Sequence, residues 1–295
     1  MRPILVTGGT GQVGHELARL DWPEGFRPAV LSRAEADLTD AAALHRLVTG
    51  QPWAAVINAG AYTAVDAAEG DPATAWAVNA LGPEALAQLC RDRAIPLVQV
   101  STDYVFDGTK QEAWCEDDPV GPLGVYGASK LGGELAVRAS GVRHAIVRTA
   151  WVVSAHGSNF LKTMLRLAGE GRELAVVADQ RGSPTAAADL AAALAAMAVR
   201  LATDGSAPSG TYHFANSGST TWHGLAEHIF AGAAARGRPQ PVLRATTTAD
   251  YPTPARRPAN SLLSTRKIAS DYGIAPRPWQ SGIDAILDEL IGEPR

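Results

Sequence analysis

The sequence has only two cysteines, Cys90 and Cys115, in 295 residues. They provide no disulfide framework for a chain this long, so we expect two free thiols in a reducing compartment. No apolar run approaches the roughly 20 residues that span a bilayer. Met1 leads directly into an apolar strand pattern, with no charged leader and no small-residue cleavage site. These features predict a cytoplasmic protein that does not contact a membrane.

An excess of basic residues is also missing. The chain has 26 Lys and Arg against 30 Asp and Glu, which gives a formal net charge of −4. Nucleic-acid-binding domains usually carry a marked basic excess, so that class of partner is not expected. A phosphorylated small molecule needs only a few local donors and remains compatible with this charge.

Short apolar runs alternate with longer helical patterns along the chain. Continuous apolar runs are typical of strands covered on both faces, and strand–helix alternation favours parallel strands joined by right-handed crossovers. We therefore predict an α/β fold: a Rossmann-type doubly wound parallel sheet with a smaller C-terminal α/β substrate domain. The predicted strands are Ile4–Thr7, Ala29–Leu31, Ala54–Asn58, Leu97–Ser101, Ala145–Arg148, Leu174–Val177 and Thr211–Phe214. The predicted helices lie near 12–20, 40–49, 69–93, 125–139, 158–169, 187–202, 221–232 and 281–290, and 237–260 is predicted to be a long loop with a binding role.

Three glycines, Gly8, Gly11 and Gly14, follow the first predicted strand at a spacing of three. Glycine permits a tight turn and close approach of the backbone to a pyrophosphate, and the following helix N-terminus offers free N–H groups. A plain glycine-rich turn is the alternative, but the strand before and the helix after favour a dinucleotide site.

The end of the second strand carries Ser32 and Arg33, where a ribose-binding acid is expected in NAD-binding proteins. A serine and an arginine can bind a 2′-phosphate, which an acid would repel. We therefore predict a preference for NADPH, with NADH left open and a solvated Arg33 as the alternative. Small residues after the third strand, at 59–61, would let the dinucleotide pass close to the backbone.

Tyr126 and Lys130 form a Y-x-x-x-K pattern on a predicted helix. Their spacing of four places both side chains on one face. Carbonyl reduction needs a proton on oxygen, and a nearby ammonium would lower the pKa of a phenol. Thr102 ends the fourth strand, where hydroxyls face the ligand crevice of a parallel sheet and could donate to the substrate oxygen. The glycine turn, Thr102 and Y-x-x-x-K in this order predict a nicotinamide-dependent carbonyl reductase.

At this point the sequence resembles the dTDP-4-dehydrorhamnose reductases of the extended short-chain dehydrogenase/reductases. The resemblance covers nearly the whole chain. The matching stretches are Gly8–Gly14, Asn58–Glu69, Ser101–Gly108, Tyr126–Lys130, Arg148–Trp151, Asn159–Leu167, Asp179–Thr185 and Tyr251–Ser261.

The resemblance implies a role for each matching residue. Tyr126 would be the proton donor, Lys130 its partner and a ligand of the nicotinamide ribose, and Thr102 the hydroxyl that orients the oxygen. The implied cofactor residues are Gly8, Gly11, Gln12, Val13 and Gly14 at the pyrophosphate, Ser32, Arg33, Asp37 and Leu38 at the adenosine end, and Ala59, Gly60, Ala61 and Thr63 along the dinucleotide. The implied substrate residues are Asp103 and Trp151 at the deoxysugar, and Asn159, Arg257 and Asn260 at the nucleotide diphosphate. For Trp151, a place in the core is the alternative.

The chain departs from the family at the Mg²⁺ site that links subunits in some members. Glu16 and Glu289 match two of its glutamates, but an alanine beside Asp189 occupies the third position. Two surface carboxylates are the alternative, so we predict no metal, and leave Mg²⁺ and a homodimer open.

The resemblance divides the chain into a dinucleotide-binding domain at 1–150, with a return segment near 181–215, and a sugar-nucleotide-binding domain at 151–180 and 216–295. It implies reduction of the 4-keto group of dTDP-4-dehydro-β-L-rhamnose to dTDP-L-rhamnose, a precursor of surface glycans such as lipopolysaccharide. Two alternatives stay open: a reductase of another nucleotide-linked 4-keto-6-deoxysugar, and a regulatory subunit of methionine adenosyltransferase that binds the cofactor without turnover.

Overall fold

The structure is a computed structural model that describes residues 1–171 and 173–292. Its strands are β1 Arg2–Thr7, β2 Phe26–Val30, β3 Ala55–Asn58, β4 Leu97–Thr102, β5 His144–Thr149, β6 Val152–Val153, β7 Leu174–Val177, β8 Arg181–Gly182, β9 Thr185–Ala186, β10 Gly210–His213, β11 Thr220–Thr221 and β12 Leu243–Thr246. Its α-helices are α1 Gln12–Arg19, α2 Ala41–Thr49, α3 Val65–Gly70, α4 Pro72–Trp76, α5 Gly82–Asp92, α6 Val125–Ser140, α7 Phe160–Gly169, α8 Ala187–Thr203, α9 Trp222–Ala235, α10 Arg266–Tyr272 and α11 Trp279–Ile291.

The main sheet has six parallel strands in the order β10-β5-β4-β3-β1-β2. The prediction of a doubly wound parallel sheet is confirmed. β1 lies between β2 and β3. The chain therefore forms β2 on one side of β1 and then crosses back to form β3 on the other side. Ligands of open α/β sheets bind beyond the carboxyl ends of the strands at this reversal.

Helices cover both faces of the main sheet. In β1, Ile4 and Val6 pack into one core with Leu194 and Met197 of α8, whereas Leu5 packs into a core on the other face. All five side chains are fully buried. Burial of each aliphatic side chain stabilises the fold by about 1.5–3 kcal/mol, which explains why this strand is apolar at consecutive positions.

A separate apolar cluster is formed by α7, α9 and α11, with Leu161, Ile229 and Ile283 at its centre. A two-stranded parallel sheet of β7 and β12 packs beside it. The prediction of a continuous loop at 237–260 is therefore wrong at Leu243–Thr246, because this segment supplies the hydrogen-bonding partner of β7.

The predicted helix at 69–93 is broken into α3, α4, a π-helical turn at Ala77–Leu81, and α5. The first break follows from Asp71 and Pro72. Asp71 caps α4 by accepting a hydrogen bond from the Thr74 backbone N–H at 3.2 Å, and proline has no N–H to continue the preceding helix.

Over residues 1–171 and 173–292, no helix is both long and apolar enough to cross a membrane.

Candidate active site

Two elements bring the predicted catalytic residues to one cleft of about 670 Å³. β4 ends at Thr102, and the first two turns of α6 carry Tyr126 and Lys130. All three side chains line the same cleft as Gly8 and Gly11 of the glycine turn. Thr102 and Tyr126 line this cleft together, and Thr102 acts to lower the pKa of Tyr126, so the two side chains are neighbours.

Burial dominates the ionisation of the catalytic pair. It raises the pKa of Tyr126 to about 12, although Thr102 opposes the rise. It lowers the pKa of Lys130 to about 8, although the Glu134 charge opposes the fall. The expected lowering of the phenol pKa by Lys130 is not seen here, because the ammonium donates instead to the carbonyl oxygen of Val100 at 2.7 Å. The phenol therefore holds its proton at neutral pH.

Asp103 is a buried carboxyl group beside Thr102. Its Oδ1 accepts a hydrogen bond from the Thr102 hydroxyl at 3.0 Å. Its Oδ2 is buried and has no hydrogen-bond partner among the described residues, and burial raises the pKa of Asp103 to about 6. Thr149, which pairs with Thr102 in the register of β5 and β4, also lines the cleft, and its buried Oγ1 has no hydrogen-bond partner among the described residues.

The glycine turn is packed too closely for side chains. A Cβ at Gly14 would lie 2.2 Å from the carbonyl oxygen of Gly8, and a Cβ at Gly8, which has φ +77°, would lie 2.5 Å from the Gly60 nitrogen. Gly11 caps α1 in an extended conformation, so the first N–H groups of the helix are left for a ligand. These residues form a backbone cradle that fits a pyrophosphate.

A buried amide network holds the strand ends at the reversal point. The Thr7 hydroxyl donates to Asn58 Oδ1 at 2.5 Å, and Asn58 Nδ2 donates to Gln99 Oε1 at 2.8 Å. Gln99 Nε2 donates to the Val100 carbonyl oxygen that also receives Lys130. The network therefore connects β1, β3 and β4 to the catalytic ammonium. Sequence reasoning missed these residues, because each is an isolated polar residue within an apolar strand.

The loop after β3 is tied to α6 by Asn79. Its Oδ1 accepts from the Tyr62 N–H at 2.8 Å, and its Nδ2 donates to the Tyr62 carbonyl oxygen at 3.0 Å and to the Ser129 hydroxyl at 3.0 Å. This pattern aligns the 59–63 loop with the helix that bears the tyrosine and the lysine. It too was missed, since Asn79 lies in a segment predicted to be an ordinary helix.

An acid that was not anticipated, Glu35, lies beside Arg33 and outside the residues that line the cleft. Glu35 Oε2 accepts hydrogen bonds from the Ser32 hydroxyl at 2.6 Å and from the Ser32 N–H at 2.8 Å, and these bonds hold the pKa of Glu35 below its usual value. The Arg33 side chain is 73% exposed, lines the cleft and lies 3.6 Å from an Asp37 carboxylate oxygen. Arg33 is therefore available to a ligand, whereas Ser32 is already bonded.

An aromatic wall faces the catalytic side of the cleft. The Trp151 and Trp222 rings stack with their centroids 3.8 Å apart, and Phe160 lies 4.7 Å from Trp222. Trp222 Nε1 donates to Gln180 Oε1 at 3.2 Å. All three rings line the cleft, so Trp151 is not confined to the core. Trp222 and Phe160 were not predicted as site residues.

The three residues predicted at the nucleotide diphosphate lie in different surroundings. Asn159 lines the cleft, caps α7 and donates to Gln12 Oε1 at 2.9 Å. Arg257 pairs with the Asp66 carboxylate at 2.7 and 2.8 Å and lies outside the residues that line the cleft. Asn260 is buried and bonded to backbone carbonyl oxygens at 110 and 112, also outside the lining.

Most of the predicted cofactor residues line the cleft; Gly14 and Ser32 lie next to it. Those on its surface are Gly8, Gly11, Gln12, Val13, Arg33, Asp37, Leu38, Ala59, Gly60, Ala61 and Thr63, together with Tyr126 and Lys130.

Glu16 and Glu289 come close to the same histidine. His156 Nε2 lies 3.9 Å from Glu16 Oε1 and 3.4 Å from Glu289 Oε1. Glu16 accepts a hydrogen bond from Ser154, and Glu289 pairs with Arg19 at 2.6 Å. Within the described part of the chain, no three His, Cys, Asp or Glu side chains are grouped to hold a metal ion.

The parallel sheet, the glycine cradle and the Tyr–Lys pair at its carboxyl edge define a Rossmann-type reductase. The chain matches the family described as the RmlD substrate binding domain over residues 1–291, and it belongs to that family. The family predicted from the sequence is thereby confirmed.

Named relatives agree with this membership. A dTDP-4-dehydrorhamnose reductase of Burkholderia thailandensis is 45% identical over 98% of this chain and 99% of its own. The crystal structure of a dTDP-4-dehydrorhamnose reductase from Clostridium acetobutylicum has a TM-score of 0.91 and 34% identity, covering 98% of this chain and 99% of that one. A dTDP-4-dehydrorhamnose reductase from Bacillus anthracis, solved in complex with NADP, has a TM-score of 0.90 and 33% identity, covering 98% of this chain and all of that one. These names favour an enzyme over the regulatory-subunit alternative.

Proposed function

We propose that this protein reduces the 4-keto group of dTDP-4-dehydro-β-L-rhamnose with NADPH to give dTDP-L-rhamnose. The observation that carries the proposal is the convergence of Thr102, Tyr126 and Lys130 with the glycine turn in one cleft. Relatives that match over nearly their whole length are named for this reaction. The proposed location is the cytoplasm.

The cofactor would lie along the carboxyl edge of the main sheet. Gly8, Gly11 and the N-terminus of α1 would hold the pyrophosphate, because their backbone N–H groups are accessible and no side chain intervenes. Arg33 would pair with the 2′-phosphate. Lys130, buried beneath the cleft, would donate to the nicotinamide ribose. When bound, the dihydronicotinamide supplies the hydride that the carbonyl carbon accepts.

The protein's own residues would manage the proton and the developing charge. Tyr126 carries a proton at neutral pH because burial keeps its pKa high, so it can protonate the substrate oxygen. Thr102 would turn its hydroxyl hydrogen from Asp103 Oδ1 to that oxygen as negative charge develops, adding a second hydrogen bond to the one from Tyr126. Asp103 would contact the sugar with its unpartnered carboxyl oxygen, and Trp151 with its ring.

We propose the division into a dinucleotide domain at 1–150 with a return segment near 181–215, and a sugar-nucleotide domain at 151–180 and 216–295. The separate apolar cluster of α7, α9 and α11 supports this division. Arg257 would bind the diphosphate only after leaving Asp66, and Asn260 would support the same loop through its backbone contacts. If the protein forms a homodimer linked by Mg²⁺, Glu16 and Glu289 would be the residues that bind the ion.

The test is NADPH oxidation by the purified protein with dTDP-4-dehydro-β-L-rhamnose, repeated with NADH and with other nucleotide-linked 4-keto-6-deoxysugars. Tyr126→Phe is expected to bind NADPH normally and to lose turnover by about 10²–10⁴-fold, the usual contribution of a positioned acid. Tyr272→Phe is the control for loss of a tyrosine hydroxyl, because Tyr272 donates to the Pro208 carbonyl oxygen at 2.6 Å and lies outside the cleft lining. Activity only with a different keto sugar would contradict the proposed substrate, and full activity of Tyr126→Phe would contradict its role.

A further inference from the structure

Glu134 is a fully buried carboxylate one helical turn beyond Lys130 on α6. Four donors satisfy its two oxygens. The Ser101 hydroxyl donates to Oε1 at 2.6 Å and Arg148 Nε at 2.8 Å, while Arg148 Nη2 donates to Oε2 at 2.7 Å and Arg138 Nη2 at 2.6 Å. A buried carboxylate with this many short hydrogen bonds is held in a single orientation.

Two of the donor residues come from strands: Ser101 from β4, which carries Thr102, and Arg148 from the neighbouring β5. Ser101 immediately precedes Thr102 in β4, and Arg148 immediately precedes Thr149 in β5. Ser101 and Arg148 are paired in the register of the two strands. One carboxylate on the catalytic helix therefore fixes the ends of both neighbouring strands.

Lys130 provides the second link between α6 and β4, through its hydrogen bond to the Val100 carbonyl oxygen. Two consecutive residues of β4, Val100 and Ser101, are thus hydrogen-bonded to side chains from two consecutive turns of α6. Displacing Glu134 would let the helix shift along the strand. Such a shift would separate Tyr126 from Thr102, whose hydroxyl groups must act on the same oxygen.

The negative charge of Glu134 also acts directly on the ammonium. Burial lowers the pKa of Lys130 to about 8, and Glu134 opposes this fall. Arg148 is buried against Glu134, and its other neighbours are the Glu116 carbonyl oxygen and His213, which is neutral because burial lowers its pKa to about 3. Arg138 is the remaining charged neighbour of Glu134, and among the described residues Glu134 is the carboxylate that pairs with Arg138 and Arg148.

We propose that Glu134 is a positioning residue of the reductase, whose carboxylate holds α6 in register with the ends of β4 and β5 and attracts the Lys130 ammonium one turn away on the same helix. This inference rests on the proposed function for the roles of Tyr126 and Lys130. A neutral, well-packed group would stabilise a core at least as well as a buried ion pair. A carboxylate at this place is therefore better explained by the directed hydrogen bonds that it accepts from β4, β5 and α6, which an apolar group could not make.

Lysine titration tests the electrostatic part without any turnover. The chain has four lysines, at 110, 130, 162 and 267, so protein labelled with ¹³C at lysine Cε gives four resonances. Lys130→Arg identifies the Lys130 resonance by its loss. In Glu134→Gln, we expect the titration midpoint of Lys130 to fall by about one pH unit, because the opposing negative charge is gone. A midpoint equal to that of the wild type would overturn the proposal.

Glu134→Gln leaves Arg148 buried without its carboxylate and can destabilise the fold, so a double variant keeps the test decisive. Glu134→Gln with Arg148→Gln removes both buried charges. We expect thermal stability to recover while kcat/KM stays low, because the hydrogen bonds of the carboxylate to β4 and β5 are not restored. Recovery of wild-type kcat/KM would show that the pair is only structural.

Glu134→Asp separates position from charge. It retains the carboxylate, so the Lys130 midpoint is expected to stay within about half a pH unit of the wild type. It shortens the side chain, so kcat is expected to fall about tenfold with little change in KM. Unchanged kcat would overturn the positioning role.

Glu84→Gln on α5 is the control for loss of a carboxylate on an adjoining helix, and should change neither the midpoint nor kcat. Failure of the proposed function would appear separately, as a wild-type protein that binds NADPH but reduces no keto sugar, while the lysine titration is unaffected.

Discussion

The Trp151 indole lies flat on the Trp222 indole, with 3.8 Å between ring centroids and 14° between ring planes. Trp151 has a φ of +48°, an unusual conformation for a bulky residue. Its ring also covers Gly182, where a Cβ would lie 2.5 Å from the Trp151 ring. The stacking on Trp222 and the absence of a side chain at Gly182 therefore stabilise a strained backbone conformation at Trp151, in which its ring lines the cleft.

Loss of the Trp222 ring should release Trp151. In Trp222→Ala we expect the KM for the sugar nucleotide to rise about tenfold, the order of magnitude for a lost aromatic contact. The kcat and the affinity for NADPH should change little, because neither the glycine turn nor Tyr126 contacts the stack. Steady-state kinetics with each substrate varied in turn measure this difference.

Circular dichroism provides the structural readout for the same variant, since the signal of two coupled indoles should disappear in Trp222→Ala. Trp222→Phe keeps an aromatic ring at this position, so its KM for the sugar nucleotide should rise less than that of Trp222→Ala. Trp76→Phe is the control: Trp76 is 42% exposed and does not line the cleft. An unchanged sugar-nucleotide KM in Trp222→Ala would show that the stack has no part in substrate binding.

The strands of the main sheet could be predicted because the sequence pattern that specifies each strand lies within the strand itself. Runs such as Ile4–Thr7 are apolar at successive positions, and the glycines that follow mark the turn. The strand Leu243–Thr246 could not be predicted in this way, because Arg244 and Ala245 are exposed and the segment becomes a strand only through pairing with β7. Local pattern does not encode a partner that lies far away in the chain.

The same difference applies to the site. Thr102, Tyr126 and Lys130 could be proposed because their types, order and spacing form a motif. Glu134 and Trp222 offered no such signal, because a glutamate and a tryptophan on amphipathic helices have ordinary explanations. Only the tertiary structure shows that one is fully buried between two strands and that the other reaches the cleft.

Arg33 and Glu35 should have opposite effects on cofactor choice. Arg33→Ala is expected to weaken NADPH binding about tenfold and to leave NADH binding unchanged, because only NADPH has a 2′-phosphate. Glu35→Gln should strengthen NADPH binding by about fivefold, since it removes an exposed negative charge two residues from Arg33. Fluorescence titration with each cofactor measures both constants.

Arg27→Ala is the matched control for charge, because Arg27 is exposed on β2 and does not line the cleft. If Arg33→Ala weakened the two cofactors equally, its assignment to the 2′-phosphate would be wrong.

Asp103 should make stability depend on pH. Its folded pKa is about 6 and its ordinary value 3.8, so between these values the folded state binds more protons than the unfolded state. The free energy of unfolding should therefore decrease as the pH rises from about 4 to about 6, by up to ~3 kcal/mol for the buried group. Asp103→Asn should lack this component.

Urea unfolding of both proteins at several pH values checks the prediction. The difference in stability should favour Asp103→Asn increasingly as the pH rises through this interval and then level off above pH ~6, where folded Asp103 is ionised. A difference that is constant from pH 4 to pH 7 would contradict the raised pKa.

We expect the Thr149 hydroxyl to contact a bound ligand, and the stability of Thr149→Val without and with ligands tests this expectation. Its buried Oγ1 lacks a partner among the described residues, and an unsatisfied buried polar atom costs about 1–3 kcal/mol. Thr149→Val keeps the shape and should leave the free protein as stable as the wild type or up to ~1 kcal/mol more stable. Thr7→Val is the matched control and should destabilise the free protein, because the Thr7 hydroxyl donates to Asn58.

In the presence of saturating NADPH and dTDP, thermal unfolding of Thr149→Val should show a smaller stabilisation than the wild type, because a hydroxyl that bonds the ligand has been removed. Equal stabilisation of the two proteins by both ligands would mean that this oxygen, although it faces the cleft, contacts neither of them.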